Sequence, residues 1–330
     1  MSQLIDSFQR KVDYLRLSVT DRCDFRCVYC MSEDPTFLPK SHVLSLEELS
    51  WIAQAFTELG VKKIRLTGGE PLVRSDCDKL VKLLRKLPQL EELSMTTNGS
   101  RLSKLAQPLF DNGLSRLNIS LDTLNPDVFA QLTRNGKLER VIAGIDAAIA
   151  AGFRNIKINA VILRGRNDHE VLDLVEFCRQ RQLDIAFIEE MPIGLMDDRH
   201  RHRHRHCSSD EVRNIIETRY PLIASSKRTG GPSRYVKMAD STIRIGFISP
   251  HSNDFCHECN RVRVTVEGQL LLCLGNENAI DLKSIVRQFP ADIERLKQAI
   301  TDGMQYKPQS HHFNLNAAPQ ILRFMNATGG

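Results

Sequence analysis

A chain of 330 residues, 42% hydrophobic and 26% charged, is long enough to bury a large core, which excludes global disorder and leaves two domains or one barrel with an appendage. No run of about 18 apolar residues occurs, and the opening Met1-Ser2-Gln3-Leu4-Ile5-Asp6 lacks the basic-then-apolar pattern of a signal peptide, so a cytoplasmic globular protein is expected. The net charge of +5 permits an anionic ligand without demanding nucleic acid, and nine cysteines in such a chain point to metal or catalysis before disulfides.

From Tyr14 to about Met191 one theme repeats: a short β-branched run, a turn, then an amphipathic helix. The strand-like runs are 14–20, 61–67, 91–97, 114–121, 155–163 and 184–190. Ser45-Leu46-Glu47-Glu48 is a capping box whose helix ends at Gly60. Ser75 with Asp78 is expected to start another helix, stopped by Pro88. Asn167 with Glu170 starts a third, with Val171, Leu174, Val175 and Cys178 at helical spacing. Strand and helix alternating in this way read as parallel α/β, either an open doubly wound sheet or an incomplete barrel.

Strand parity favours the barrel. Leu15, Leu17 and Val19 alternate with Arg16, Ser18 and Thr20. The same split separates Ile64/Leu66 from Lys63/Arg65/Thr67, and Leu93/Met95 from Ser94/Thr96/Asn98. It recurs with Leu117/Ile119/Leu121 against Arg116/Asn118/Ser120/Asp122, and with Ile156/Ile158/Ala160 against Lys157/Asn159. Parallel strands covered by helices on both faces are nearly continuously apolar. Five alternating ones imply a curved sheet with a polar lumen for a polar ligand. Arg116 reads as an ordinary ion-pair partner.

After Met191 the style changes. Arg199 to His206 alternates arginine and histidine, a solvated basic loop or a metal-binding tract. Ser208-Ser209-Asp210-Glu211 caps a short helix. Hairpins follow at 234–239 with 243–248 and at 261–266 with 270–274, then helices near 281–289 and 291–303. The final residues carry no structural pattern. The expected fold is therefore an incomplete (βα)6 TIM-like barrel over 1–191, with a smaller C-terminal α+β appendage over 192–330 covering its open side.

Two cysteine sets carry the chemistry. Cys23-x3-Cys27-x2-Cys30 follows the first strand, and three thiolates this close can ligate three irons of a cube cluster, leaving the fourth iron open. A structural zinc site is the alternative. Cys256-x2-Cys259-x13-Cys273 is the second set, where zinc completed by His257 or His251 competes more strongly. Cys77, Cys178 and Cys207 look unrelated, Cys178 lying on an apolar helix stripe. A glycine turn, Thr67-Gly68-Gly69-Glu70-Pro71, closes the second strand where α/β ligands bind, and its glycines would let a ligand approach the backbone.

The first cysteine set, Tyr29 before its last cysteine and the Gly68-Gly69-Glu70-Pro71 turn resemble the radical S-adenosylmethionine superfamily. The second set, Asn260-Arg261-Val262-Arg263 and the terminal Gly329-Gly330 are similar more closely to the GTP 3′,8-cyclase family, over nearly the whole chain. The resemblance implies two [4Fe-4S] clusters, on Cys23, Cys27 and Cys30 and on Cys256, Cys259 and Cys273. It implies S-adenosylmethionine held by Tyr29, Gly69, Ser120 and Met191. GTP would be held by Arg16, Arg65, Thr96, Lys157, Arg261, Val262 and Arg263, and five positions on the polar strand face (Arg16, Arg65, Thr96, Ser120, Lys157) agree independently. Three of those five are cations, which suits a triphosphate.

The activity implied is a radical cyclisation of GTP to (8S)-3′,8-cyclo-7,8-dihydroguanosine 5′-triphosphate, the first step of molybdenum cofactor biosynthesis. A 5′-deoxyadenosyl radical takes hydrogen from the ribose 3′ carbon, which attacks guanine carbon 8, while the second cluster anchors the purine. Arg16, Arg261, Arg263, Gly329 and Gly330 would assist catalysis, the tail entering the active site. Implied partners are an external low-potential electron donor, a downstream cyclic pyranopterin monophosphate synthase and a second copy of the chain, with no nucleic acid and no membrane. Rival readings are a two-cluster radical enzyme maturing a peptide and a non-catalytic metal- or nucleotide-binding module. The Arg199–His206 run lies outside the family pattern.

Overall fold

Six β-branched runs form parallel strands β1 (Tyr14–Ser18), β2 (Lys63–Thr67), β3 (Glu92–Thr97), β4 (Arg116–Ser120), β5 (Ile156–Ile162) and β6 (Asp184–Glu189) in a computed structural model of the chain. The structure describes residues 3–194, 206–311, 313–314 and 321–329; Gly330 and positions 199–205 of the basic run lie outside the described residues. Each strand pairs with the next in sequence order, as right-handed crossover helices require. Those helices are α1 (Leu46–Glu58), α2 (Cys77–Leu84), α3 (Leu102–Asp111), α4 (Pro126–Thr133), α5 (Leu138–Ala150) and α6 (Val171–Arg181).

The C-terminal region extends this same sheet at both edges. After α7 (Ser209–Glu217) come β7 (Leu222–Ala224), β8 (Arg234–Met238) and β9 (Arg244–Ile248), and β9 lies parallel to β6. β10 (Arg261–Val264) lies parallel to β1, and β11 (Gln269–Leu271) and β12 (Ala279–Asp281) follow antiparallel. The resulting order is β12-β11-β10-β1-β2-β3-β4-β5-β6-β9-β8-β7, an incomplete barrel whose end strands do not pair among the described residues. α8 (Leu282–Gln288) and α9 (Ile293–Gly303) pack on α1.

The parity read from sequence holds. Leu15, Leu17, Ile64, Leu66, Leu93, Met95, Leu117, Ile119 and Ile158 are fully buried beneath the helices. The capping boxes at Ser45/Glu48 and Ser208/Glu211 both form. Two other helix starts differ from expectation. α2 begins at Cys77 after Asp76, which makes no side-chain cap and instead pairs with Arg74 at 2.8 Å. Asn167 does not cap either. Its carboxamide accepts from Leu163 N at 2.8 Å and donates to Asp122 O at 2.7 Å and Val161 O at 2.9 Å, while Glu170 accepts from Thr123 Oγ1 and, at 2.8 Å, from Leu124 N. Buried loop backbone needs those partners more than the exposed first turn does.

The last residues, which showed no pattern, form a buried turn, α10 (Met325–Thr328), fixed by Met325 N donating to Cys30 O at 3.1 Å and Asn326 Nδ2 to Asp21 O at 3.2 Å. The glycine turn lines the cavity and also has a packing role. A Cβ on Gly69 would stand 2.5 Å from Arg22 O and 2.7 Å from Asp21 O, and one on Gly68 would stand 2.5 Å from Thr20 O. The missing side chains admit the backbone of the cysteine loop, which is then latched by Gly69 N to Thr20 O (2.7 Å) and Glu70 N to Arg22 O (2.8 Å). Gly69→Ala is therefore expected to cost about 1–3 kcal/mol through overpacking and to reduce iron retained at the first cysteine set. Thermal unfolding with iron analysis checks this, and parental values for both would refute the latch.

Candidate active site

The carboxyl ends of the parallel strands surround a cavity of about 2130 Å³ of empty space, part of it open to solvent. All six cysteines of the two sets line it, as do Tyr29, Gly69, Ser120 and Met191 and Arg16, Arg65, Thr96, Lys157, Arg261, Val262 and Arg263. Of the residues singled out from sequence, Gly329 lies deeper. It packs on Ser18 and Thr67 at φ +82°, and its carbonyl accepts from Arg263 Nη1 at 3.3 Å. Gly330 lies outside the described residues.

Sheet register assembles the cationic wall. Arg263 on β10, Arg16 on β1 and Arg65 on β2 are register partners on three adjacent parallel strands, so their side chains emerge on one face in a row. Neighbouring strands stand about 4.8 Å apart. Burial and then Arg263 and Arg65 drive Arg16 well below the usual guanidinium range, and burial and then Arg261 bring Arg263 to about 10. Lys157 is lowered by burial too, against the opposing influence of Tyr235, whose hydroxyl stands 3.4 Å from its Nζ. Arg65 is steadied by Asn118, whose carboxamide oxygen, oriented by its hydrogen bonds, accepts from Nη1 at 2.8 Å. Such a wall favours a multiply charged anion. Arg116 pairs with Glu92 at 3.3 Å, the ordinary role expected of it.

The first cysteine loop is ordered on both sides. Arg26 N and Val28 N donate to Thr133 O and Leu132 O of α4, each at 2.9 Å, and Phe25 meets Phe129 edge-on. Cys23 Sγ accepts from Phe25 N at 3.4 Å and Asn98 Nδ2 at 3.9 Å. Burial raises all three thiols, Cys30 to about 12. A metal group must therefore displace their protons. Tyr29 donates to Asp122 at 2.5 Å, and burial lifts Asp122 to about 6.

The second set is placed by β10 and β11. Burial raises Cys256 to about 11 and also raises Cys273. Cys259 differs: burial pushes it up, but Lys307 and Arg261 outweigh that and bring it down to about 7. Both histidines suggested for zinc have other contacts: the His257 side chain is exposed beside Glu258, and His251 Nε2 stands 3.0 Å from Glu190 O. Among the described residues no three His, Cys, Asp or Glu side chains are grouped to hold one metal ion. A cube cluster spreads its ligands over several irons and needs no such convergence.

Two all-cysteine donor sets in one cavity fit iron–sulfur chemistry, and the lumen fits a polar ligand: Tyr14 OH, Thr96 Oγ1 and Asn159 Oδ1 line the cavity buried and without a hydrogen-bond partner. Sequence reasoning missed three supporting residues. Asp122 stood on the polar parity but received no role. Tyr235 comes from a different sheet edge, and Lys307 has no local pattern at all, so only tertiary contacts reveal them.

A model of the radical SAM superfamily matches residues 17–178, and one described as Molybdenum Cofactor Synthesis C matches residues 183–313. Among curated relatives, a GTP 3′,8-cyclase of Pseudomonas entomophila (strain L48) is 60% identical over 99% of this chain and 98% of its own. A GTP 3′,8-cyclase of Pseudomonas putida (strain W619) is also 60% identical over the same shares. Among solved structures, Streptococcus suis SuiB bound to S-adenosylmethionine superposes with TM-score 0.60 at 16% identity, covering 97% of this chain and 76% of that one, a likeness of fold.

Glu70 links the glycine turn to β3. Its buried carboxylate accepts from Leu72 N (3.0 Å), Thr97 Oγ1 (2.7 Å) and Asn98 N (2.6 Å), and Asn98 in turn donates to Asp24 at 2.7 Å beside Cys23. Burial raises Glu70 from 4.5 to about 7. Over that window the folded chain keeps a proton that the unfolded chain has released, so this group lowers stability as pH rises. Glu70→Gln should lose about 1–3 kcal/mol, because an amide NH2 then faces a donor, and should flatten the pH slope between 4.5 and about 7. Urea unfolding across that range reads both, and an unaltered slope would count against Glu70 as its source.

Proposed function

The chain belongs to the GTP 3′,8-cyclase family of radical S-adenosylmethionine enzymes, and from that membership we propose which of its residues carry the reaction. The enzyme converts GTP to (8S)-3′,8-cyclo-7,8-dihydroguanosine 5′-triphosphate, the first step of molybdenum cofactor biosynthesis, with two [4Fe-4S] clusters and S-adenosylmethionine. The observation that carries the residue assignment is the register row Arg263–Arg16–Arg65 in one cavity with both cysteine sets.

In this reading Cys23, Cys27 and Cys30 hold one cluster and Cys256, Cys259 and Cys273 the other. Bound there, the clusters and S-adenosylmethionine supply the electron transfer and the hydrogen-abstracting chemistry. Tyr29, Gly69, Ser120 and Met191 hold S-adenosylmethionine, with Tyr29 kept in place by Asp122. Arg16, Arg65, Arg261, Arg263 and Lys157 grip the triphosphate by charge-assisted hydrogen bonds, with Thr96 and the Val262 backbone completing the GTP site. Their task is to fix the ribose against the site of hydrogen abstraction and to exclude water. Gly329 lies against Ser18 and Thr67, where a side chain would collide, and supplies Arg263 with an acceptor; the catalytic role is assigned to Gly330 together with it.

We further assign residues 1–191 to the barrel with S-adenosylmethionine and 192–330 to the second cluster and substrate arginines. An external low-potential electron donor, a downstream cyclic pyranopterin monophosphate synthase and a homodimeric state belong to the same reading. Nine free thiols suit a reducing cytoplasm, and no described helix is long and apolar enough to cross a membrane.

Anaerobically reconstituted, reduced protein given S-adenosylmethionine should release 5′-deoxyadenosine and a cyclised nucleotide with GTP but not with ATP. Cys256→Ser should still bind S-adenosylmethionine yet form no cyclised product. Normal product from that variant would remove the second set from the mechanism. Deleting Gly329 and Gly330 should cut turnover at least tenfold, the equivalent of about 1.4 kcal/mol, with both clusters retained. Unchanged turnover would return the tail to an ordinary frayed end.

A further inference from the structure

Lys307 is a buried ammonium, only 2% exposed, lying outside the residues that line the cavity. Its Nζ donates to Leu272 O at 2.6 Å and Arg261 O at 2.9 Å, and stands 3.6 Å from Cys259 Sγ. None of these partners is a carboxylate. Leu272 immediately precedes Cys273 and Arg261 follows Cys259 by two residues, so one side chain ties together the two segments that carry two of the three thiols. Arg10 grips the third from the other side, donating to Cys256 O at 2.7 Å.

A buried cation without a carboxylate partner is costly unless another anion compensates it. Among the described residues, the group against Nζ able to carry negative charge is the Cys259 thiol, at 3.6 Å. At the first set no lysine ammonium stands against a thiol among the described residues; Cys23 Sγ instead accepts from the neutral Asn98 Nδ2 at 3.9 Å, and Asn98 also donates to Asp24 at 2.7 Å, while Arg26 Nη1 donates to Cys23 O at 2.7 Å. Cationic charge and N–H···S contacts at a cluster favour its reduced form, because each added electron adds negative charge.

We propose that Lys307 is the counter-ion of the cluster on Cys256, Cys259 and Cys273, a positioning residue that holds the ligand segments together and raises that cluster's reduction potential. This rests on the reading of that set as an iron–sulfur site. The redox step is a single electron passing from a low-potential one-electron donor onto the cluster, with no bond made or broken and no proton moved. Because Lys307 also holds the Arg261 carbonyl, its effect on the cluster is read in the absence of substrate.

The test uses full-length protein, anaerobically reconstituted, without GTP. Iron and sulfide are counted, and a mediated potentiometric titration is followed by electron paramagnetic resonance. Lys307→Met keeps the chain length and removes the charge; Lys307→Arg keeps the charge. The expected result is a more negative midpoint for the second cluster in Lys307→Met, with the first cluster unmoved and Lys307→Arg close to the parent. Loss of only the second cluster from Lys307→Met, with retention in Lys307→Arg, supports the same conclusion. An unmoved midpoint in a Lys307→Met protein holding both clusters overturns it, as does equal loss of the second cluster from both variants. A parent protein that binds iron only at the first set would overturn the cluster reading and this inference with it.

Discussion

Like charges in adjacent register are the constraint on which this site depends. Arg263, Arg16 and Arg65 stand abreast on three neighbouring strands and line the lumen together. Strand spacing of about 4.8 Å sets like charges side by side: burial and then Arg263 and Arg65 lower Arg16, while burial and then Arg261 lower Arg263. A fold carries such a cost when a ligand relieves it. A triphosphate is the natural complement, because each guanidinium can offer a fork to phosphate oxygens. The helices around α1 to α6 bury the opposite face of the same strands, so the hydrophobic core holds the repelling arginines in place.

The two cysteine sets differ in the charged groups that act on their thiols within one cavity. Glu70, Asp24 and Asp122 act on Cys23 and Cys27, where Arg26 also donates to Cys23 O at 2.7 Å. Around Cys259 the charged groups are Lys307 and Arg261. The difference follows from chain path. The first set sits where β1, β2 and β3 end, at the Glu70–Asn98–Asp24 hydrogen-bond chain, whereas the second lies beside β10, the strand that carries Arg261 and Arg263. Clusters placed this way have different potentials even with identical ligand sets, since net charge and hydrogen bonds to sulfur tune them.

Chain termini complete the enclosure. Arg10, paired with Asp6 at 2.6 Å, donates to Cys256 O, Pro308 O and Gln309 O, tying the amino-terminal arm to the second cysteine set and to the segment that leads toward the tail. The tail then passes Cys30 and Asp21 through Met325 and Asn326 and reaches Arg263 at Gly329. Both ends of the chain are therefore parts of the site, which explains why hydrogen-bond partners far apart in sequence recur around it.

The sequence by itself determined the alternating strand faces, the two thiol sets and the capping boxes, because side-chain period, ligand spacing and caps act over a few residues. It placed Arg16, Arg65, Thr96, Ser120 and Lys157 on the lumen side correctly for that reason. Which of them stand abreast was decided by tertiary structure, since Arg263 reaches Arg16 only through the pairing of β10 with β1. The same holds for Asn167, drawn from a cap to buried loop backbone, and for Gly69, whose missing Cβ admits the cysteine loop. Lys307 and the Met325–Thr328 turn have no local signature whatever. Their positions follow from contacts that exist only once the sheet has brought distant segments together.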